Sequence, residues 1–173
     1  MIELFLGGTR SGKSKLAEQA ASSSGKHVVY IATATATASD RQMQQRIERH
    51  RSSRPQHWKV LEQPFFLAEA IEEHASQESC ILVDCLTLWL SNCLFHKEAD
   101  FFLSQRQLLL KSLNNAAGQI ILVSNETNLG IIPMGEVTRE FCDRAGELHQ
   151  EIAAISDRVT LAVAGLPLVL KDQ

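Results

Sequence analysis

Gly7–Ser14 reads GGTRSGKS and fits GxxxxGK[ST], with Gly7, Gly12, Lys13 and Ser14 at the four defined positions. That spacing belongs to a backbone that curls around phosphate oxygens with its N–H groups turned inward, and glycine permits the curl at low steric cost. Lys13 then reaches the β and γ phosphates as a point charge, the Ser14 hydroxyl ligates a bridging Mg2+, and the following helix adds its N-terminal dipole. The plain alternative is a glycine turn beside a surface lysine. The flanks argue against it: Ile2 to Leu6 is an apolar strand-like run, and Lys13 to Ser22 lacks Gly and Pro as a helix should.

Outward from the loop, Gly25 is a helix stop and His27 to Ile31, HVVYI, is a second strand. Strand, helix and strand at this spacing imply a parallel sheet, whose ligands gather at the carboxyl ends of the strands. The small residues of Ala32 to Ala38 fall at such an end and let a backbone approach a ligand. Ser39 or Asp40 caps a predicted helix running to about Arg51, with Met43 and Ile47 on one face. Arg41, Arg46, Arg49, Arg51 and Arg54 crowd this stretch around His50. A solvated basic face is the ordinary reading of such a cluster; beside a phosphate loop, arginines also neutralise phosphates.

Trp58 to Glu62 is expected as a short strand and Phe65 to Ala75 as an amphipathic helix. Cys80 to Val83 is an apolar run ending at Asp84, where a carboxylate can organise magnesium or cap the helix that begins at Leu86. Helices are expected over Leu86 to His96 and Phe101 to Asn114, then a strand over Ile120 to Val123. In Ser124 to Pro133, SNETNLGIIP, the polar Asn125, Glu126 and Asn128 can orient a substrate or satisfy their own backbone, and Leu129, Ile131 and Ile132 can cover a substrate or a subunit. Gly135 to Ser156 is a long amphipathic helix with Val137, Phe141, Leu148, Ile152 and Ile155 as its expected buried stripe. Two apolar runs around Gly165 predict a terminal hairpin with an antiparallel edge strand.

The 173 residues suit one domain over 1–173, with 45% apolar and 21% charged residues. With 17 basic and 20 acidic side chains the net charge is −3, which gives no reason to expect nucleic acid or a membrane surface and points to small-molecule partners. No apolar run reaches membrane-spanning length and no signal core opens the chain, so a cytoplasmic protein is expected. Cys80, Cys85, Cys93 and Cys142 lack CxxC or zinc spacing and read as buried free thiols. On these grounds the chain is a magnesium-using nucleotide-phosphate protein, and its length favours a small-molecule kinase. Without NKxD, or DxxG after Asp84, a GTPase switch is disfavoured; a nucleotide-binding module without turnover is the reading from another class.

The chain also resembles the bifunctional adenosylcobinamide kinase and adenosylcobinamide-phosphate guanylyltransferase family. The matching stretches are GGTRSGKS at 7–14, YIATA at 30–34, RIERHRSSRP at 46–55, Trp58 with Glu62, VDCLTLWLSN at 83–92 and SNETNLGIIP at 124–133. The resemblance implies an α/β, P-loop NTPase (RecA-like) three-layer fold, commonly in a homotrimer. It implies phosphorylation of adenosylcobinamide with ATP or GTP, then transfer of GMP from GTP to the new phosphate. By matching positions His50 carries the covalent GMP and Lys13 serves the phosphates. Gly7, Gly8, Thr9, Arg10, Ser11, Gly12, Lys13, Ser14, Ala32, Thr33, Ala34, Arg51, Ser52, Ser53, Arg54, Glu62 and Asp84 bind nucleotide, with Ser14 and Asp84 on the metal. Two positions depart from the pattern: Thr9 stands where alanine is common and Gln42 where an acid is frequent.

Overall fold

A computed structural model describes residues 1–34 and 55–173. The helix expected from Ser39 or Asp40 to Arg51 and the loop residues 35–38 lie outside them. Seven strands form one sheet: β1 (Ile2–Gly7), β2 (His27–Ala32), β3 (Lys59–Glu62), β4 (Ser79–Asp84), β5 (Gln119–Asn125), β6 (Arg158–Val163) and β7 (Leu166–Asp172), in the order β3-β2-β4-β5-β1-β6-β7. All neighbouring pairs are parallel except β6 and β7. The described helices are α1 (Lys13–Ser23), α2 (Leu67–His74), α3 (Leu86–Leu94), α4 (Phe101–Asn115) and α5 (Glu136–Ile155).

The two-residue period of the strands sorts their side chains between two cores. Leu4, Leu6, Ile31, Ile81, Val83, Ile120 and Leu122 pack on one face with Leu67 and Ile71 of α2, Trp89 of α3, Leu109 of α4 and Leu148 and Ile152 of α5. Phe5, Val28, Tyr30, Leu82, Ile121 and Val123 form the other core with Trp58 and with Ala17 and Ala21 of α1. These two alanines are fully buried, and small residues one turn apart let α1 sit close to the sheet. The result is helix, sheet and helix in three layers, with the expected antiparallel edge strand last.

Several boundaries and one stripe differ from expectation. The strand expected over Trp58 to Glu62, β3, starts at Lys59, because Trp58 turns under Tyr30, with ring centroids 6.4 Å apart. Helix α2 starts at Leu67: the Gln63 side-chain oxygen accepts from the N–H groups of Phe65 (3.3 Å) and Phe66 (3.1 Å), holding them in a turn. Helix α3 ends at Leu94, two residues early, with Phe95 as its C-cap. On α5 the buried residues are Ala145, Leu148, His149 and Ile152, whereas Val137 is exposed and Phe141 and Ile155 are half-buried. The first turn of α5 extends past its packed half and leaves Val137 in the open, while Phe141 and Ile155 pack against the margin of the core. All four cysteines are free, but Cys80 and Cys93 alone are buried; Cys85 and Cys142 are partly exposed.

Candidate active site

Five of the parallel strands, β1 to β5, end in a candidate residue at one edge of the sheet. Gly7 ends β1, Ala32 ends β2, Glu62 ends β3, Asp84 ends β4 and Asn125 ends β5, and register pairs Gly7 with Asn125 and Ala32 with both Glu62 and Asp84. The crossover connections make this the binding edge.

Between β1 and α1 the loop closes on itself through Ser11 N–H donating to the Gly8 carbonyl (3.1 Å), and α1 begins with Leu16 N–H donating to the Gly12 carbonyl (3.0 Å). Arg10 and Gly12 take left-handed conformations, with φ of 60° and 96°. A Cβ on Gly12 would stand 2.9 Å from the Gly165 Cα, because the β6–β7 turn lies against the loop and Gly165 N–H donates to the Ser11 carbonyl at 2.8 Å. Glycine is therefore required at 12 on both conformational and steric grounds. No side chain caps α1 and its first turn holds no acid, so its dipole and leading N–H groups suit an anion.

The Lys13 ammonium donates to the Gly8 carbonyl (3.2 Å) and to the Asn125 side-chain oxygen (2.9 Å). Asp84 continues the alternation of Cys80 and Leu82 and so faces the α1 side, where the buried Tyr30 hydroxyl donates to its carboxylate at 3.0 Å. The N-cap of α3 is Cys85, with no side-chain cap bond, so Asp84 does not fill the helix-cap role weighed from sequence. Because β5 runs between β1 and β4, Asp84 stands about two inter-strand spacings, roughly 10 Å, from the loop strand. Ser14 and Asp84 offer a hydroxyl and a carboxylate, hard oxygen donors that fit Mg2+ when phosphate and water complete its shell.

Thr33 is fully buried, and its hydroxyl donates to the Cys85 carbonyl (2.7 Å) while accepting from Cys85 N–H (2.9 Å). Asn92 holds the Thr33 carbonyl at 2.9 Å. Thr33 thus shapes the backbone on which Ala32 and Ala34 are presented. Glu62 is exposed at the β3 end of the same edge. His50, Arg51, Ser52, Ser53 and Arg54 lie outside the described residues.

Sequence reasoning left Asn125 open between substrate and backbone and overlooked Thr87, Ser124 and His149. Asn125 takes Lys13, while Glu126 accepts from Asn128 N–H (2.6 Å) and the Asn128 amide donates to the Cys142 carbonyl (3.0 Å), tying the loop to α5. The Ser124 hydroxyl meets His149 Nε2 at 2.7 Å and Thr87 Oγ1 at 3.2 Å. The signal for His149 was its place one turn after Ala145 and three residues before Ile152, inside the apolar stripe.

A glycine-bent loop carrying Lys13, a helix dipole behind it and a strand-end carboxylate across the edge define a P-loop nucleotide-binding enzyme of RecA-like fold. Solved structures agree on that fold. An ATPase of the type III secretion system of pathogenic bacteria superposes with a TM-score of 0.58 at 15% identity, over 97% of this chain and 56% of that one. The RadB recombinase gives 0.51 at 18%, over 92% and 73%. Within the class, the chain belongs to the cobinamide kinase / cobinamide phosphate guanyltransferase family, whose model matches residues 3–170. It is 51% identical to the bifunctional adenosylcobalamin biosynthesis protein CobP of Pseudomonas aeruginosa, over all of this chain and 99% of that protein. It is 34% identical to the corresponding CobU of Escherichia coli, over 99% and 100%. The chain is accordingly a bifunctional kinase and guanylyltransferase of cobalamin biosynthesis, with cobinamide and nucleotide as substrates.

Proposed function

We propose that the two activities run in sequence on one nucleotide edge, with GMP carried on His50 between GTP and the cobinamide phosphate. In the first reaction the aminopropanol hydroxyl of adenosylcobinamide attacks the γ phosphorus of ATP or GTP, its bond to the β-phosphate oxygen breaks, and the hydroxyl proton leaves to a base. In the second, a neutral His50 nitrogen attacks the α phosphorus of GTP, pyrophosphate departs with the bonding electrons, and a phosphoramidate forms. A phosphate oxygen of the product then attacks that phosphorus and returns the imidazole, giving adenosylcobinamide-GDP.

Lys13 neutralises phosphate charge in both reactions. Ser14 and Asp84 would hold Mg2+, which would withdraw charge from the phosphates. Gly7 to Ser14, Ala32 to Ala34, Arg51 to Arg54, Glu62 and Asp84 form the nucleotide site. The single observation that carries this reading is the convergence on one sheet edge of the phosphate loop, Asp84 and Glu62 from separate strands. One continuous sheet from residue 2 to 172 supports a single domain. No helix among the described residues is long and apolar enough to cross a membrane, which agrees with work in the cytoplasm. Exposed Leu166, Leu168 and Leu170 on the edge strand offer a subunit contact, which a homotrimer requires.

Incubation with GTP labelled at the α phosphate and Mg2+ tests the covalent step. The expected result is an acid-labile, alkali-stable label on the peptide containing His50. In His50→Ala the label and guanylyl transfer are lost while part of the cobinamide phosphorylation remains, since γ transfer to an alcohol needs no protein nucleophile. Labelling elsewhere, or label persisting in a folded His50→Ala, contradicts the histidine assignment.

A further inference from the structure

We infer that His149, on the side of the sheet away from the phosphate loop, is a positioning residue that sets the loop lysine through Ser124, Thr87 and Asn125. The link runs through the strand pleat. Asn125 shares the α1 face with Ile121 and Val123, whereas Ser124 shares the opposite face with Ile120 and Leu122 and points to α5. Two adjacent residues thus serve different layers. Their hydrogen bonds allow one directed chain. Asn125 N–H donates to Thr87 Oγ1 at 2.6 Å, which leaves the threonine proton for Ser124 Oγ at 3.2 Å and the serine proton for His149 Nε2 at 2.7 Å. Each hydroxyl then accepts one bond and donates one, with no donor opposing another.

With Nε2 as the acceptor the ring proton sits on Nδ1, which faces Glu126 at 3.9 Å. Glu126 is itself anchored by Asn128 N–H, so the carboxylate is aligned rather than loose. Burial favours the neutral ring that this chain needs, against the opposing pull of Glu126. At its other end the chain fixes the backbone of Asn125, whose side chain receives Lys13 at 2.9 Å. A serine–histidine pair also suggests a nucleophile, but Ser124 is 1% exposed and no substrate reaches it. A buried polar network of this kind holds one geometry because each broken link strands a desolvated group.

The inference rests on Lys13 handling phosphate, and the experiment separates the two ideas. Steady-state cobinamide phosphorylation is measured on full-length wild type, Lys13→Ala, Asn125→Ala, His149→Leu, His149→Gln and the Asn125→Ala/His149→Leu double variant. His149→Leu keeps the bulk and removes the acceptor; kcat should fall about tenfold, a single hydrogen bond's worth, with KM for cobinamide within about twofold of wild type. His149→Gln, whose amide oxygen accepts from Ser124, should recover most of that loss. In the Asn125→Ala background His149→Leu should cost less than about twofold more, because the route to Lys13 is already cut. An equal loss in both backgrounds, an unchanged kcat in His149→Leu, or no recovery in His149→Gln overturns the relay. Retained turnover in Lys13→Ala overturns the loop reading instead. Should His149→Leu fail to fold, Ser124→Ala in the two backgrounds breaks the same link and is judged by the same outcomes.

Discussion

Asp84 has a charge role that separates from its shape. Asp84→Asn keeps an oxygen for the Tyr30 hydroxyl, 3.0 Å away, while losing the negative charge. Turnover should fall on the order of a hundredfold and demand more Mg2+. A Mg2+ titration indistinguishable from wild type would remove Asp84 from the metal site. His149 predicts a pH effect of definite sign. Burial holds its pKa below the ordinary 6.5, and Glu126 only partly offsets this, so the unfolded chain takes up a proton that the folded chain resists. Its contribution to stability is present above pH 6.5 and is lost as the pH falls from there through the folded pKa. The drop in Tm between about pH 7.5 and 5.5 should therefore be smaller in His149→Gln than in wild type. Equal drops would show that His149 is not the group being charged. The thiols follow the same logic of burial: Cys80 and Cys85 are pushed up to about 11 and Cys93 to about 12, which makes them inert thiols at neutral pH.

At the scale of elements, the site depends on strands whose ends are held in place from outside. Gly118 precedes β5 with φ of 86°, and a Cβ there would stand 2.6 Å from the Ser79 carbonyl and closer still to that of Ser76. Ser79 starts β4 and Ser76 lies in the turn before it, so the turns before the adjacent strands bearing Asp84 and Asn125 lie against each other. Gly118→Ala should destabilise the fold by about 3 kcal/mol through the left-handed conformation and the collision together. For a chain of this length that is a fall in Tm on the order of 10 °C, read by calorimetry. A shift under about 2 °C would mean that the two turns can separate without cost. The same reasoning explains α5. Its packed half carries His149 to β5, while its first turn, with Val137 exposed, stands clear of the described layers.

Across the whole molecule, the chain ends on an edge strand that a soluble monomer would ordinarily protect. Leu166, Leu168, Val169 and Leu170 of β7 are all exposed, and the turn before that strand rests against the phosphate loop through Gly165. Contiguous apolar surface on an edge strand calls for a partner. Light scattering on the wild type should give the mass of a trimer. Leu168→Lys should shift the mass toward the monomer while the far-ultraviolet circular dichroism stays the same. A wild-type mass of one chain would place the apolar strand outside any stable assembly.

The phosphate loop, the strand following α1 and the closing hairpin were legible in the sequence because each is written in consecutive residues: a glycine spacing, a β-branched run, two apolar runs about Gly165. The place of Asp84 at a strand end was legible because a carboxylate ends an apolar run. The pairing of Lys13 with Asn125 was not, since 112 positions separate them and the pairing exists only because β5 lies beside β1. Nor was the relay. Strands β4 and β5 are apolar on both faces, so alternation carries no record of which layer each residue meets. His149 reads as one polar residue in an amphipathic helix until α5 is laid against β5. Tertiary structure alone decided that Ser124 and Asn125, neighbours in the chain, serve opposite sides of the sheet.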